Sequence, residues 1–311
     1  MPVEGTVHAR MSETRDVVLA IDIGDAKLAA GLMTLKGELL DRDDVDIDFG
    51  MNAEALFASL NTIVQGQLER ARTHHNARPA AVGVGCAGPV RPDVVAVSPI
   101  HIPAWRSFPL RSKLASATAL NVYGDLGAKA LALAEGWLGA AQGRQNFLAM
   151  VVSSTVEGGI VLNGQLLDGA SGNAGHVGHV VVEPNGRRCL CGSRGCLDAE
   201  ASGPAIEALT GRTHREPTYE IMQRTGRLVG RAVASVCNML DLDLAVVGGS
   251  VALGFGATFF NSAQETLDEH AQLSFSRSAR IIPARLGARG PLIGAGAVGV
   301  RGLRRAGRHR A

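Results

Sequence analysis

Cys189, Cys191 and Cys196 fall within one short run, CLCGSRGC, and His179 lies upstream in VGHVVVE. Clustered cysteines in a chain with no sign of secretion favour metal over disulfide. Three thiolates leave one corner of a tetrahedron, and an imidazole fills it. His179 is the nearest good candidate after His176. A Cys3His set has no open position, so the expected role is a structural zinc ion rather than a catalytic one. Gly192 and Gly195 let the chain fold back between the thiolates. Cys86 and Cys237 stand alone in apolar segments and read as small buried hydrophobes.

Residues 17–33 read as a strand, a Gly turn and a second strand, and 35–48 as a further hairpin strand with charged edges. Helical spacing of Leu56, Leu60, Ile63 and Val64 predicts a helix over 53–72. AAVGVGCAGPV (80–90) reads as a strand running into a Gly-Pro loop, 111–118 as a short helix, 120–124 as a short strand, and 128–141 as an Ala/Leu-rich helix. The second half repeats this plan. Strands are expected at 147–154, at 158–167 with an Asn-Gly hairpin turn, at 243–254 entering a Gly turn, and at 280–287. Long helices are expected at 218–240 and 290–304. Two halves of strand–Gly-turn–strand units followed by helices imply a duplicated α/β architecture with a cleft between two lobes.

The 311 residues are 46% hydrophobic and 19% charged, which excludes disorder of the whole chain. Aromatics make up only 4%, so Ala, Val, Leu and Ile must build the core. No apolar run is long enough to span a bilayer, and residues 1–16 are polar and unlike a secretory signal. The expected compartment is the cytoplasm. A net charge of +2 argues against nucleic acid as the main partner. The exception is Arg301–Ala311, with arginines at 301, 304, 305, 308 and 310, read as a solvated, frayed tail, with a phosphate-binding arm as the alternative.

NAGHVGH followed by CLCGSRGCLDAEAS resembles the signature of the ROK family of bacterial sugar kinases and repressors. AIDIGDAK, GVGCAGPV, the segment ending IPAWRSFPL, and VVGGSVALG also resemble family segments, so the likeness runs from about Val17 to Arg301. It implies the actin-like, ribonuclease-H-type duplicated fold, with sugar and ATP in the interdomain cleft and commonly a homodimer or homotetramer. The expected division is a polar N-terminus (1–16), a small lobe (17–122 plus 289–303), a large lobe with the zinc loop (123–288) and a basic tail (304–311). The repressors carry a winged-helix domain ahead of this fold, and about sixteen residues before the first strand are too few for one.

The resemblance also implies ATP-dependent phosphorylation of a hexose hydroxyl, which needs phosphate-receiving loops and a base. The family's Asn-Asp-x-Asn motif falls on Leu126, Gly127, Ala128 and Lys129, so the base position is Gly127, with Asp125 the possible substitute. Loss of a general base costs about 10²–10⁴ in rate. The first phosphate loop, Asp-x-Gly-Gly-Thr-Lys in the family, reads Asp22, Ile23, Gly24, Asp25, Ala26, Lys27. The second, Gly-Thr-Gly-x-Gly-Gly-Gly, reads Ser153, Ser154, Thr155, Val156, Glu157, Gly158, Gly159. Asp25 and Glu157 thus place acids where polyphosphate would approach. The adenosine-side loop Gly248–Gly249–Ser250 is nearer the pattern. The sugar positions become His101, His176, Asp198 and the retained His179, which changes charge and reach and argues against glucose itself. The expectation is a kinase relative with lost or strongly reduced phosphoryl transfer that binds a sugar-like small molecule or a partner. The alternatives are an active ATP/Mg²⁺-dependent sugar or cyclitol kinase with an altered site, and a different enzyme using His101 and His176 as acid and base.

Overall fold

Apolar strands and two close-packed helices set the frame. The computed structural model describes residues 14–308. Residues 1–13 of the expected polar N-terminus and 309–311 of the expected tail lie outside the described residues.

The run RDVVLAIDI forms β1 (Arg15–Ile23), buried almost throughout, followed by β2 (Lys27–Thr34) and β3 (Leu39–Asp46) in an antiparallel meander. Helix α1 (Ala53–Thr73) starts at Asn52, whose side chain accepts the Ala55 N–H. It returns the chain to β4 (Ala77–Cys86), parallel to β1. Then come α2 (Leu110–Thr118) and β5 (Val122–Leu126), which pairs with β4 and extends the sheet four residues past 122. The strand order is β3-β2-β1-β4-β5.

Helix α3 (Gly127–Leu138) leads into the second sheet. Here β6 (Phe147–Val152), β7 (Val156–Leu162) and β8 (Gln165–Leu166) form the meander, with Asn163 and Gly164 both left-handed in the β7–β8 turn. Helices α4 (Leu197–Ala201), α5 (Gly203–Thr210) and α6 (Tyr219–Leu240) follow. Next are β9 (Leu244–Gly248), α7 (Ser250–His270), β10 (Arg280–Pro283) and α8 (Gly290–Arg308). The order β10-β9-β6-β7-β8 repeats the first sheet's plan, a meander extended by parallel strands. The duplicated α/β architecture is therefore present. Among the described residues no helix is long and apolar enough to cross a membrane.

Two features depart from expectation. Periodicity did not reveal α7, because Gly254 and Gly256 interrupt it, and Gly256 breaks helical geometry at φ 58°, ψ −141°. Tertiary packing overrides that weakness: Val251, Phe255, Phe259 and Leu267 are buried, and the helix lies along α6. The basic segment is not frayed from Arg301 either, since α8 continues to Arg308 and the Arg304 guanidinium lies 5.9 Å from the Trp137 ring centroid.

Helices α3 and α8 pack together, α8 lying on β1 and β4 and α3 on β6 and β7, so this pair is the wedge between the sheets. The fit against β4 is backbone on backbone. A Cβ on Gly83 would stand 2.1 Å from the Ala295 carbonyl oxygen and 2.7 Å from the Gly299 nitrogen. Gly83→Ala should therefore lower unfolding free energy by about 1–3 kcal/mol, read from urea midpoints. Gly66→Ala, in α1 where only the flexible end of Arg70 approaches, should be neutral or gain about 0.5–1 kcal/mol.

Candidate functional site

The end of β1, the loop after β4, the β6–β7 turn and the starts of α3 and α8 converge on a cavity of about 140 Å³. Asp22, Gly24, Asp25, Gly127, Ser153, Ser154, Thr155 and Glu157 are among the residues lining it. The two loops that sequence reading paired therefore do meet. No lysine or arginine is among the lining residues. Lys27 is not brought in: it is exposed and ion-paired to Asp44 at 2.5 Å and Asp46 at 3.6 Å on β3.

The carboxyls keep a little surface on the cavity but sit deep among protein atoms. Burial, with Asp25 nearby, pushes Asp22 up to about 7. Burial and the charge of Asp25 push Glu157 up to about 8. Asp25 is also raised by burial, against a hydrogen bond from the Thr155 hydroxyl to its Oδ2. Its Oδ1 is buried and accepts no hydrogen bond. Glu157 Oε1 has one distant donor, the Gly88 N–H at 3.5 Å. Asp22 was expected only as the first residue of the phosphate loop; its place as a buried acid beside Asp25 had one signal, a lone acid inside the apolar run LAIDIG.

Gly127 opens α3 at the cavity wall. A Cβ there would meet nothing closer than 3.7 Å, so the missing side chain leaves space. Asp125, the possible substitute, is not among the residues lining this cavity. Its carboxylate is held by Lys129 at 2.9 Å and faces Arg301 at 3.9 Å. It lines a different cavity, of about 220 Å³, with Lys129, Asp168, Arg301 and Arg305. Lys129 is buried and also donates to Asp168 Oδ1 at 2.6 Å and the Gly172 carbonyl at 3.3 Å.

Beside the acidic cavity runs a larger, mostly apolar groove of about 540 Å³. Gly248, Gly249, Ser250 and Leu253 line one side, and Ala284, Gly287, Ala288 and Pro291 the other. Ser153 Oγ and Ser250 Oγ lie 2.8 Å apart at its mouth.

The loop after β4 carries His101. Trp105 fixes this loop: it is fully buried, stacks on Phe108 with centroids 4.6 Å apart, and donates from Nε1 to the Ala53 carbonyl at 3.2 Å. His101 stands close enough to Asp25 and Asp198 for its charge to lower both their carboxyls. Asp198 accepts the Val156 N–H at 2.8 Å and is nevertheless raised by burial. His176 stacks beside His179 with centroids 5.8 Å apart, is lowered by burial, and has a buried Nε2 without a hydrogen-bond partner.

His179, Cys189, Cys191 and Cys196 gather as expected, with one ligand atom from each lying within 4.8 Å of the others. Cys189 Sγ is 3.6 Å from His179 Nδ1, and Cys191 Sγ is 3.7 Å from Cys196 Sγ. Spacings of this size fit four ligands about 2.0–2.3 Å from a common centre. Gly195, at φ 69°, makes the return possible, since a Cβ would lie 1.7 Å from the Glu183 carbonyl oxygen.

The acidic cavity has a measurable cost. The folded chain holds protons on Asp22 and Glu157 up to about 7 and about 8, whereas the unfolded chain releases them near their ordinary values, 3.8 and 4.5. The unfolded state binds fewer protons across that window, so stability falls as pH rises through it and levels off above. Urea midpoints should drop between about pH 5 and pH 8, and Glu157→Gln should flatten that slope and raise stability at the alkaline end.

The comparisons with known proteins agree with this geometry. The ROK family model matches residues 18–300. An N-acetylmannosamine kinase from Shigella flexneri is 33% identical, over 77% of this chain and 84% of its own. The crystal structure of a ROK hexokinase from Thermus thermophilus superposes with a TM-score of 0.79 at 30% identity, covering 93% of this chain and 99% of that one. A ROK family glucokinase from Streptomyces griseus, solved in complex with glucose and AMPPNP, gives a TM-score of 0.79 at 25% identity, covering 92% and 99%. With two copies of the same sheet plan enclosing the cleft in the manner of these actin-like sugar kinases, the chain belongs to the ROK family.

Proposed function

We propose that this chain binds a small, sugar-like polar ligand in its cleft and has lost, or strongly reduced, ATP-dependent phosphoryl transfer. Its relatives include sugar kinases, which supports the sugar-like ligand class. The observation that carries the loss is the acidic cavity: Asp22, Asp25 and Glu157 line it with no basic residue opposite, and Gly127 brings no side chain.

ATP with Mg²⁺, which the family implies, does not fit this cavity. A carboxylate about 4 Å from a phosphate oxygen opposes it by roughly 4 kcal/mol at an effective dielectric near 20. Asp25 has drawn the Thr155 hydroxyl to itself, so a donor that would face an anion is already used. No carboxylate stands at Gly127 to take a proton from an acceptor hydroxyl. On the sugar side, His101, His176 and Asp198 offer imidazole nitrogens and one carboxylate, a donor set for a polyol or cyclitol whose pattern differs from glucose.

One observation favours the second reading, an active kinase with an altered site. The apolar groove beside Gly249 retains room of about 540 Å³ where a nucleoside would lie. Titration with Mg²⁺-AMPPNP separates the two. Micromolar binding, or ADP release above background over a panel of hexoses, amino sugars and cyclitols, would establish the kinase. Our expectation is turnover lower than in an intact site by at least the 10²–10⁴ or so that a lost base costs. Gly127→Asp alone should not restore it, because Asp25 and Glu157 still face the phosphates. Restoration by that single change would show the base to be the main defect.

The Cys3His cluster holds zinc in this proposal, as a structural ion with no open position. Metal analysis should find about one zinc per chain. Cys196→Ser should lose it and lower the melting temperature, whereas Cys237→Ser, remote from the cluster, should retain the metal.

A further inference from the structure

Resting on the reading of the Cys3His cluster as a zinc site, we propose that Glu200, clamped by Arg224, is a positioning residue that sets the spacing of the four ligands without touching the metal.

The cysteine loop is a narrow hairpin. Cys189 and Cys196 sit on its two arms, and Arg188 pairs with Arg194 across it. Arg187 closes the base. Its carbonyl accepts the N–H of Gly195, the residue before Cys196, at 2.9 Å. The Gly195 carbonyl in turn accepts the Val182 N–H at 2.9 Å, on the segment that follows His179. The arms leading to three of the ligands therefore meet at Arg187 and Gly195. The Arg187 N–H donates to Glu200 Oε1 at 2.6 Å. A bond this short to a carboxylate is charge-assisted, roughly twice as strong as a neutral one.

Glu200 is buried, and its other oxygen, Oε2, accepts from Arg224 Nη2 at 2.6 Å. Arg224 Nη1 donates to the Glu200 carbonyl at 2.9 Å. One guanidinium from α6 thus holds the side chain and the backbone of the same residue. A missing side chain keeps room for the carboxylate. A Cβ on Gly186 would stand 2.4 Å from Glu200 Oε1 and 2.9 Å from the Gly195 Cα.

A buried ion pair is an inefficient way to stabilise a fold, because desolvation offsets the attraction. What this pair supplies is geometry. Helix α4 has Cys196 as its N-cap, Asp198 in its first turn and Glu200 two residues further on. Residues two apart on a helix do not face the same way. Asp198 turns to the Val156 N–H, and Glu200 turns to the loop base and α6. The helix that begins at one ligand is therefore tied to the residue two before another, Cys189. Three thiolates around one divalent ion leave a net negative charge, and Arg224 keeps Glu200 from adding to it uncompensated. Groups that orient ligands from outside the coordination sphere typically change metal affinity by about 10–100-fold.

The test uses the full chain. Zinc affinity is read by competition with the chromophoric chelator 4-(2-pyridylazo)resorcinol, and ligand geometry from the visible bands of the Co²⁺-substituted protein. Glu200→Gln leaves an oxygen for the Arg187 N–H but unpairs Arg224. It is expected to weaken zinc about 10–100-fold and to shift the Co²⁺ bands. Arg224→Lys keeps the charge but cannot hold carboxylate and carbonyl in one fork, so a smaller loss in the same direction is expected. It carries the test alone if Glu200→Gln fails to fold. Leu267→Ala, in the same core but toward the other end of α6, should lower the melting temperature with zinc affinity and Co²⁺ bands unchanged. Wild-type zinc affinity and Co²⁺ bands in the clamp variants, or changes no larger than in Leu267→Ala, would overturn the clamp and leave the zinc reading intact. Absence of zinc from the wild-type protein would overturn both.

Discussion

Three carboxyl groups packed into one space without a cation govern this cleft. Ionised together they would repel strongly at low effective dielectric, so the protein holds them partly protonated, with Asp22 and Glu157 raised toward and past neutrality. The neighbouring features follow from that constraint. The Thr155 hydroxyl turns toward Asp25, the Gly88 N–H reaches toward Glu157, and a glycine rather than another acid begins α3. Ionised, these acids would repel a polyanion, which is why the proposed function turns on them.

Fold and chemistry rest on separate residues. The wedge of α3 and α8 between the sheets depends on backbone contact at Gly83 and on buried aliphatic side chains, none of which carries charge. The cysteine loop likewise depends on its own turn at Gly195 and on four ligand atoms. The wedge meets the 140 Å³ cavity only through uncharged residues, Gly127, Ala128 and Leu131 of α3 and Pro291 of α8. The same frame as in the sugar kinases can therefore persist around a site whose electrostatics differ.

Much of this was legible in the sequence because it is local. Strand–turn–strand units at Val17–Met33 and at the Asn163–Gly164 hairpin are written in short apolar runs and turn residues. The Cys3His cluster is written in spacing. Long-range matters were less accessible. Helix α7 hides behind glycines and is held by α6, a contact no local pattern encodes. Asp22 looked like part of a strand, and its importance arises only when β7 brings Glu157 opposite. Asp125 sat near the right place in sequence, but Lys129 and Arg301, the latter from the far end of the chain, draw it to another cavity.

The loop after β8 also joins the two halves. Asn173 exchanges a pair of hydrogen bonds with Val90, accepting its N–H at 2.9 Å and donating to its carbonyl at 2.8 Å, and Asp168 and Gly172 anchor the buried Lys129 ammonium. This strap laces one margin of the cleft with backbone-like bonds and an ion pair between the buried Lys129 and the half-exposed Asp168. Any opening of the halves along this margin has to break those bonds first, so separation there costs more than a simple sliding of apolar faces.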